Sequence, residues 1–333
     1  DPSINRGLCH TGITSNLADI IASNNPRNTS SLHILRSPTT SHNNLQVEVA
    51  HSPTDNSPEP LKPNPEIANF KEEMSRLCIN LATAAKEIGG TKPAWGPDIT
   101  AQVNATLDDS VENVAKVPDE LAFGILQVSG AHVHTIGRLL LDPFASPATI
   151  APLARSAVEY SALLMFLNRE EAPEVRTVRN ARAIRLGMKK DKVHRQKVSE
   201  EMYADLNKVV TRYTRKNTIP DLRYEEVGIK KMVNQMLGEL VGLEFYDTLS
   251  SYTHHNPWKA FNQIVFPTHN PDALEVESLF FAYRSSLALS GASFTLLPYR
   301  DQAAVRDWQE KLNLEVELLL QLGERIDVSL SSD

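Results

Sequence analysis

The residues of this chain that could do chemistry gather in three stretches. In the first, HVHTIGRLLLDPFASPATIAPLARSAVEYSALLMFL (His132 to Leu167), Arg155 and Glu159 stand four apart in a run that is otherwise apolar nearly all round. Residues four apart share a helix face, so the two can pair. A helix apolar on every side is normally buried, and an isolated buried charge costs many kcal/mol, so the two charges must meet partners there. Such a pair either fixes helix packing or lines a cleft, and both readings stand. In the preceding helix His132 shares a stripe with Leu121, Ile125, Val128 and Leu139, while His134 points well away from it. The His132 imidazole is therefore either a satisfied core group or a cleft-lining one.

The second stretch is LEFYDTLSSYTHHNPWKAF (Leu243 to Phe261). It reads as one helix that Asn256-Pro257 must end, because the residue before a proline disfavours the helical region. Asp247, Ser250 and His254 then lie on one side, and His254 and His255 sit at a helix C-terminus, where the dipole favours a protonated imidazole. Asp, Ser and His are the types of a hydrolytic triad. Triads converge from separate elements, however, so these three read as a polar cluster. A C-cap network with Trp258 packed over it is the structural reading of the same residues.

The third stretch, Glu170 to Lys216, carries thirteen basic residues against seven acidic ones. Arg176, Arg179, Arg182 and Arg185 recur every third residue, which on a 3.6-residue helix spreads them over the surface. Val175, Val178, Ala181, Ile184 and Met188 should face inward. The helix is either a solvated charged face or the footprint of an anionic partner such as RNA or a nucleotide, with Arg179 and Arg182 as contacts.

What must position these groups follows from the whole chain of 333 residues, 41% hydrophobic, with a net charge of −7. The charge argues against a wholly basic nucleic-acid binder and leaves a local basic face open. Two distant cysteines, Cys9 and Cys78, make no disulfide framework and no zinc spacing, which points to a reducing, cytoplasmic setting. The apolar runs look too short for a membrane span. A Gly-rich phosphate loop, an HExxH motif and a GxSxG elbow are all missing, so neither a metal nor a cofactor is implied.

Residues 1–64 are rich in Ser, Asn, Thr and Pro and read as a flexible tail. Helical periodicity begins at Pro65, which opens a helix that Gly89-Gly90 ends. A poorly periodic helix spans about 99–114, and Pro118-Asp119-Glu120 reads as the start of the helix that carries His132. Further helices cover 225–238, 272–297 and 301–328, with Asp272 and Asp301 at N-cap or first-turn positions. The expected fold is all-α: a single antiparallel bundle of roughly seven to nine helices over 65–330.

In the order of these features the chain resembles a broad set of uncharacterised all-helical proteins of actinobacteria. FYDTLSSYTHHNPWKAF in particular is similar to the Leu-Ser … His signature of helical bundles related to HEPN domains. The resemblance implies that His254 is a site residue, the acid or base of an RNA-processing module. HEPN-type ribonucleases carry an Arg, then four to six residues, then a His, and here that place holds Asp247. Two functions follow as expectations. One is a HEPN-like module that binds or processes RNA or nucleotide phosphates. Its cleft would gather His254, Arg155, Glu159 and His132, with Asp247, Ser250, His255, Asn256, Arg179 and Arg182 as further binding residues. The other is a non-catalytic interaction protein, an oligomer that dimerises or docks a partner through its last two helices.

Overall fold

The computed structural model describes residues 64–93, 112–169, 172–190, 197–216, 228–254, 256–269 and 272–331. The expected N-terminal tail, most of the weak helix near 99–114, and His255 lie outside the described residues. Among the described residues ten α-helices follow one another. They are α1 (Pro65–Gly90), α2 (Glu112–Leu139), α3 (Pro147–Asn168), α4 (Pro173–Lys190), α5 (Lys197–Lys216), α6 (Ile229–Val241), α7 (Phe245–Thr253), α8 (Pro257–His269), α9 (Ala273–Leu296) and α10 (Gln302–Ser331). A 3-10 turn, Leu297–Tyr299, joins the last two. Among the described residues the only extended pairing is an isolated bridge between Pro93 and Arg300. The fold is all-α, as the sequence implies.

At the centre lies α9, where every residue from Ser278 to Leu296 except Phe280 is buried. Its length alternates large apolar residues with small ones, among them Ser285, Ser286, Ala288, Ser290, Gly291, Ala292 and Ser293. Most of the hydroxyls bond within the helix itself. Ser290 donates to the Ser286 carbonyl at 2.8 Å, Ser293 to Leu289 at 2.8 Å and Thr295 to Gly291 at 2.9 Å. Small, self-satisfied side chains let neighbours close in, and α1, α2, α3, α6 and α8 all pack against α9. The periodicity had suggested a single apolar stripe and an interface on the last two helices. Instead of one stripe, α9 is buried almost all round and has almost no free face.

The main core runs through Met74, Leu77 and Leu81 of α1, Leu126, Val133 and Ile136 of α2, Val158 and Leu164 of α3, and Leu312, Val316 and Leu319 of α10. A smaller cluster sets Val178 and Ala181 of α4 against Leu206, Val209, Val210 and Tyr213 of α5 and Val114 and Val117 of α2. By length and hydropathy α3 is apolar enough to cross a membrane, unlike the expectation from sequence; 56% of that window is buried inside the protein. It also carries Arg155 and Glu159, and it packs between α2 and α9 as a core helix does.

Three boundaries differ from the periodicity. Helix α2 starts at Glu112 and runs through Pro118, where a start signal was expected. Burial of Val114 and Val117 rewards the upstream turn, and Asp119 moves from a solvated first turn into the interior. Helix α6 begins at Ile229 because Gly228 precedes it with φ of 71°. It ends at Gly242, whose φ of 84° suits a helix stop without a Cβ. The helix expected to run up to Asn256-Pro257 ends slightly earlier. α7 stops at Thr253, and α8 restarts at Pro257 with Asn256 as its cap, the Asn256 Oδ1 accepting from Trp258 N at 3.1 Å.

Candidate functional site

Helix α3 brings Arg155 and Glu159 to the edge of the core, beneath α7. Tyr246 and Thr253 are seven apart on α7 and so point down the same stripe. Arg155 Nε donates to Glu159 Oε1 at 2.8 Å, and its Nη2 donates to the Tyr246 hydroxyl oxygen at 3.1 Å. Its Nη1 donates to Thr253 Oγ1. The Tyr246 hydroxyl in turn donates to Glu159 Oε1 at 2.8 Å, which closes a ring of three groups. The Arg155 and Glu159 side chains remain 23% and 25% exposed, so the pair lies at a boundary and not in a sealed interior. Burial disfavours the Arg155 charge, but the bonds to Glu159 and Tyr246 and the Glu159 charge outweigh it and hold its pKa above the usual value. Burial, and then the bond to Glu159 and its charge, push the Tyr246 hydroxyl upward.

This network delivers Arg155 to the residue immediately before His254. His254 is exposed and caps the C-terminus of α7, its backbone N–H donating to the Ser250 carbonyl at 3.0 Å. Ser250 contributes that carbonyl and a second acceptance, from Thr253 Oγ1 at 3.1 Å. Asp247 goes elsewhere: it is exposed and pairs with Lys230 at 2.7 Å. The structure therefore does not assemble Asp247, Ser250 and His254 into one cluster, because α7 ends before the stripe is complete. His132 lies half-buried against Tyr160, ring centroids 6.3 Å apart, and that burial lowers its pKa.

Beyond His254, Trp258 and Phe261 stand on α8 at 61% and 52% exposure, stacked on each other with centroids 5.7 Å apart. Lys259, between them, reaches Glu277 Oε1 at 3.3 Å, and Glu277 Oε2 accepts from the Tyr252 hydroxyl. Burial, and then the Glu277 charge, drive the Tyr252 pKa far above its ordinary value.

The fully sequestered ions lie elsewhere, at the far end of α3. Asp119 Oδ1 accepts from Arg176 Nη2 and from Arg300 Nη1, both at 3.3 Å. Arg176 Nε donates to Asn168 Oδ1 at 2.8 Å, and its guanidinium lies 3.9 Å from the Tyr299 ring centroid. The Tyr299 hydroxyl donates to the Asn168 carbonyl at 3.3 Å. Burial raises the Asp119 carboxyl pKa against the pull of both arginines. The same burial lowers Arg176 and Arg300. Arg179, expected at the surface as an anion contact, is also buried, its guanidinium 5.6 Å from the Phe166 ring centroid. Packing of α4 beneath α2 and the end of α3 draws the first turns inward, and Arg182 is only half-buried further along. Sequence reasoning passed over Asp119 and Arg300. A signal existed in the Asp following Pro118, which periodicity assigned to a helix start.

Among the described residues, no three His, Cys, Asp or Glu side chains are placed to share a metal ion. The single described cysteine, Cys78, is buried beside Ser286 Oγ at 3.3 Å, and burial pushes its thiol pKa up to about 12. No family model, no curated protein and no solved structure matches the chain.

Proposed function

We propose that the protein is a helical interaction module that self-associates through the corner between α7 and α8. The observation that supports this reading is the solvent-exposed Trp258–Phe261 stack. Aromatic anchors of this kind dominate the energetics of protein interfaces, and an apolar pair is complementary to its own copy across a two-fold axis. Behind it, Arg155 clamps α7 to α3 through Thr253 and Tyr246. A platform held rigid before binding loses less conformational freedom on association. A cytoplasmic setting belongs to the same reading and rests on the sparse cysteines.

Light scattering over a range of protein concentrations tests it. The wild type is expected to show dimer mass, and Trp258→Asp with Phe261→Asp is expected to remain monomeric and folded. A wild type that stays monomeric throughout, or a variant that still dimerises, rejects the proposal.

The HEPN-like reading, binding or processing of RNA or nucleotide phosphate, draws on a different observation: His254 is exposed and directly follows the Thr253 that Arg155 holds. In that reading Arg155 supplies from α3 the arginine that the spacing before His254 lacks, and His254 is the acid or base. Burial of Arg176 and Arg179 shrinks the basic footprint such a ligand would use, which is why this reading ranks second. RNA affinity measured against salt, with His254→Ala alongside, tests it. Absence of binding at low salt removes it.

A further inference from the structure

Between the start of α1 and the last turns of α10 lies a groove of about 830 Å³. Phe70, which is buried, and Val328, which is 68% exposed, give it apolar surface. Glu66 and Glu324, both exposed, give it negative charge. Arg325 also lines it, but that cation is already engaged. Its Nη1 donates to Glu73 Oε2 at 2.8 Å, and its guanidinium lies over the Phe70 ring, 5.6 Å from the centroid. Glu66 Oε2 accepts from the Ser329 hydroxyl at 2.7 Å, a neutral partner that leaves the carboxylate charge in place. The groove therefore fits a segment that carries apolar side chains beside a cation.

The chain enters α1 at the same place. Asn64 lines the groove, and both oxygens of the Asp272 carboxylate hold its backbone N–H, at 3.2 and 3.0 Å. Its own Oδ1 caps the helix by accepting from Glu66 N at 2.9 Å. Residues 1–63 thus lead directly into the groove. Three apolar runs stand among them. The run 17–22 includes Asp19, and the run 45–50 includes Glu48, so each brings a carboxylate towards Glu66 and Glu324. The run Leu32-His33-Ile34-Leu35-Arg36 sets three large apolar side chains beside an arginine and holds no acid. Residues 37–63 separate it from Asn64, and at roughly 3.3 Å per extended residue they reach every part of the groove. That tether makes docking intramolecular, at an effective concentration on the order of millimolar, so a weak contact suffices.

We propose that residues 32–36 of the same chain occupy this groove, with their apolar side chains against Phe70 and Val328 and with Arg36 facing Glu66 and Glu324. The groove shares no lining residue with the α7–α8 corner, so the proposal stands apart from self-association there. Exposed ions contribute little affinity. The apolar contact and the tether supply most of it, and Arg36 decides which of the three runs docks.

Disulfide trapping on the full chain tests the proposal. Ser37→Cys places a thiol beside the run and Gln321→Cys places one in the groove, with Cys9→Ser to leave no third thiol but the buried Cys78. Under mild oxidation the intramolecular disulfide is expected to form about tenfold faster than with Ser23→Cys, beside the run 17–22, in place of Ser37→Cys. Tether length to Asn64, 27 residues against 41, by itself accounts for about twofold. Glu66→Lys with Glu324→Lys, and separately Leu35→Asp, are each expected to bring the rate down to that of the Ser23→Cys protein. A difference no larger than tether length gives, or a rate unchanged by either set of substitutions, overturns the proposal. So does a disulfide that joins two chains in place of closing one, which would make a second copy the occupant.

Discussion

Arg155 donates to the Thr253 hydroxyl across 98 residues of chain, and so ties α3 to the last turn of α7 immediately before His254. The same guanidinium meets Tyr246 and Glu159, so one side chain sets both ends of α7 against the core. Its quarter exposure limits what the charge contributes, because water screens it. The hydrogen bonds are the larger part. Arg155→Met should therefore destabilise the protein by about 1–2 kcal/mol. Tyr246→Phe should cost about 1 kcal/mol, and the double variant should cost less than the sum, since both belong to one ring of bonds. Chemical denaturation of the four proteins measures that coupling; strict additivity would show the ring to be energetically inert.

Asp119 presents the opposite balance. It is the carboxylate that Arg176 and Arg300 share, and both arginines are 1% exposed. Removing it strands two buried cations, so Asp119→Ala should destabilise by about 3–5 kcal/mol. Replacing the charge by an amide keeps an acceptor oxygen and should be milder. If the alanine variant unfolds at the wild-type denaturant concentration, the centre is not sealed from water as described.

How much of this was legible in the sequence follows from what periodicity can report. It locates helices whose apolar face is distinct, and the inward residues of α4 at Val175, Val178, Ala181, Ile184 and Met188 do line its small core. The Arg155–Glu159 contact was legible too, because four-residue spacing within a helix carries its own geometry. Periodicity is silent on contacts made across the chain. The sharing of Asp119 by residues 57 and 181 positions away depends on how four elements meet. Arginine recurring every third residue resembles a solvated face, and only tertiary packing turns Arg176 and Arg179 inward. Helix α9 was legible over 272–297, but its burial on all sides was not, because it has no polar face to set its phase.

Glycines separate local from tertiary requirements. Gly242 stops α6 with φ of 84°, a region that side-chain-bearing residues adopt only with strain. Gly242→Ala should cost about 1 kcal/mol. Gly187 lies exposed within α4, and a Cβ there would meet nothing within 4 Å. Gly187→Ala should stabilise by about 0.5–1 kcal/mol, as alanine replaces glycine in a helix interior. Thermal melts of the two variants should move in opposite directions, and a shared direction would contradict the backbone assignment at one of the two positions.

The last expectation concerns acid. Burial lowers the pKa of His132 below its ordinary 6.5 in the folded protein. Below that value the unfolded chain binds a proton at this position more readily than the folded one does. The unfolded state then carries more protons, and stability increases with pH until both states are neutral. The contribution is therefore complete above pH 6.5 and is lost as the pH falls from there through the folded pKa. The ring stacks on Tyr160 and remains partly exposed, so the effect is a change of slope and not a collapse. Unfolding midpoints measured from about pH 8 to about pH 5 on the wild type and on His132→Gln should diverge only in the acidic half of that range, where imidazole titrates. The glutamine variant should show the shallower fall. Parallel curves would mean that His132 takes up its proton equally well folded and unfolded, and would place it in solvent and not against α3.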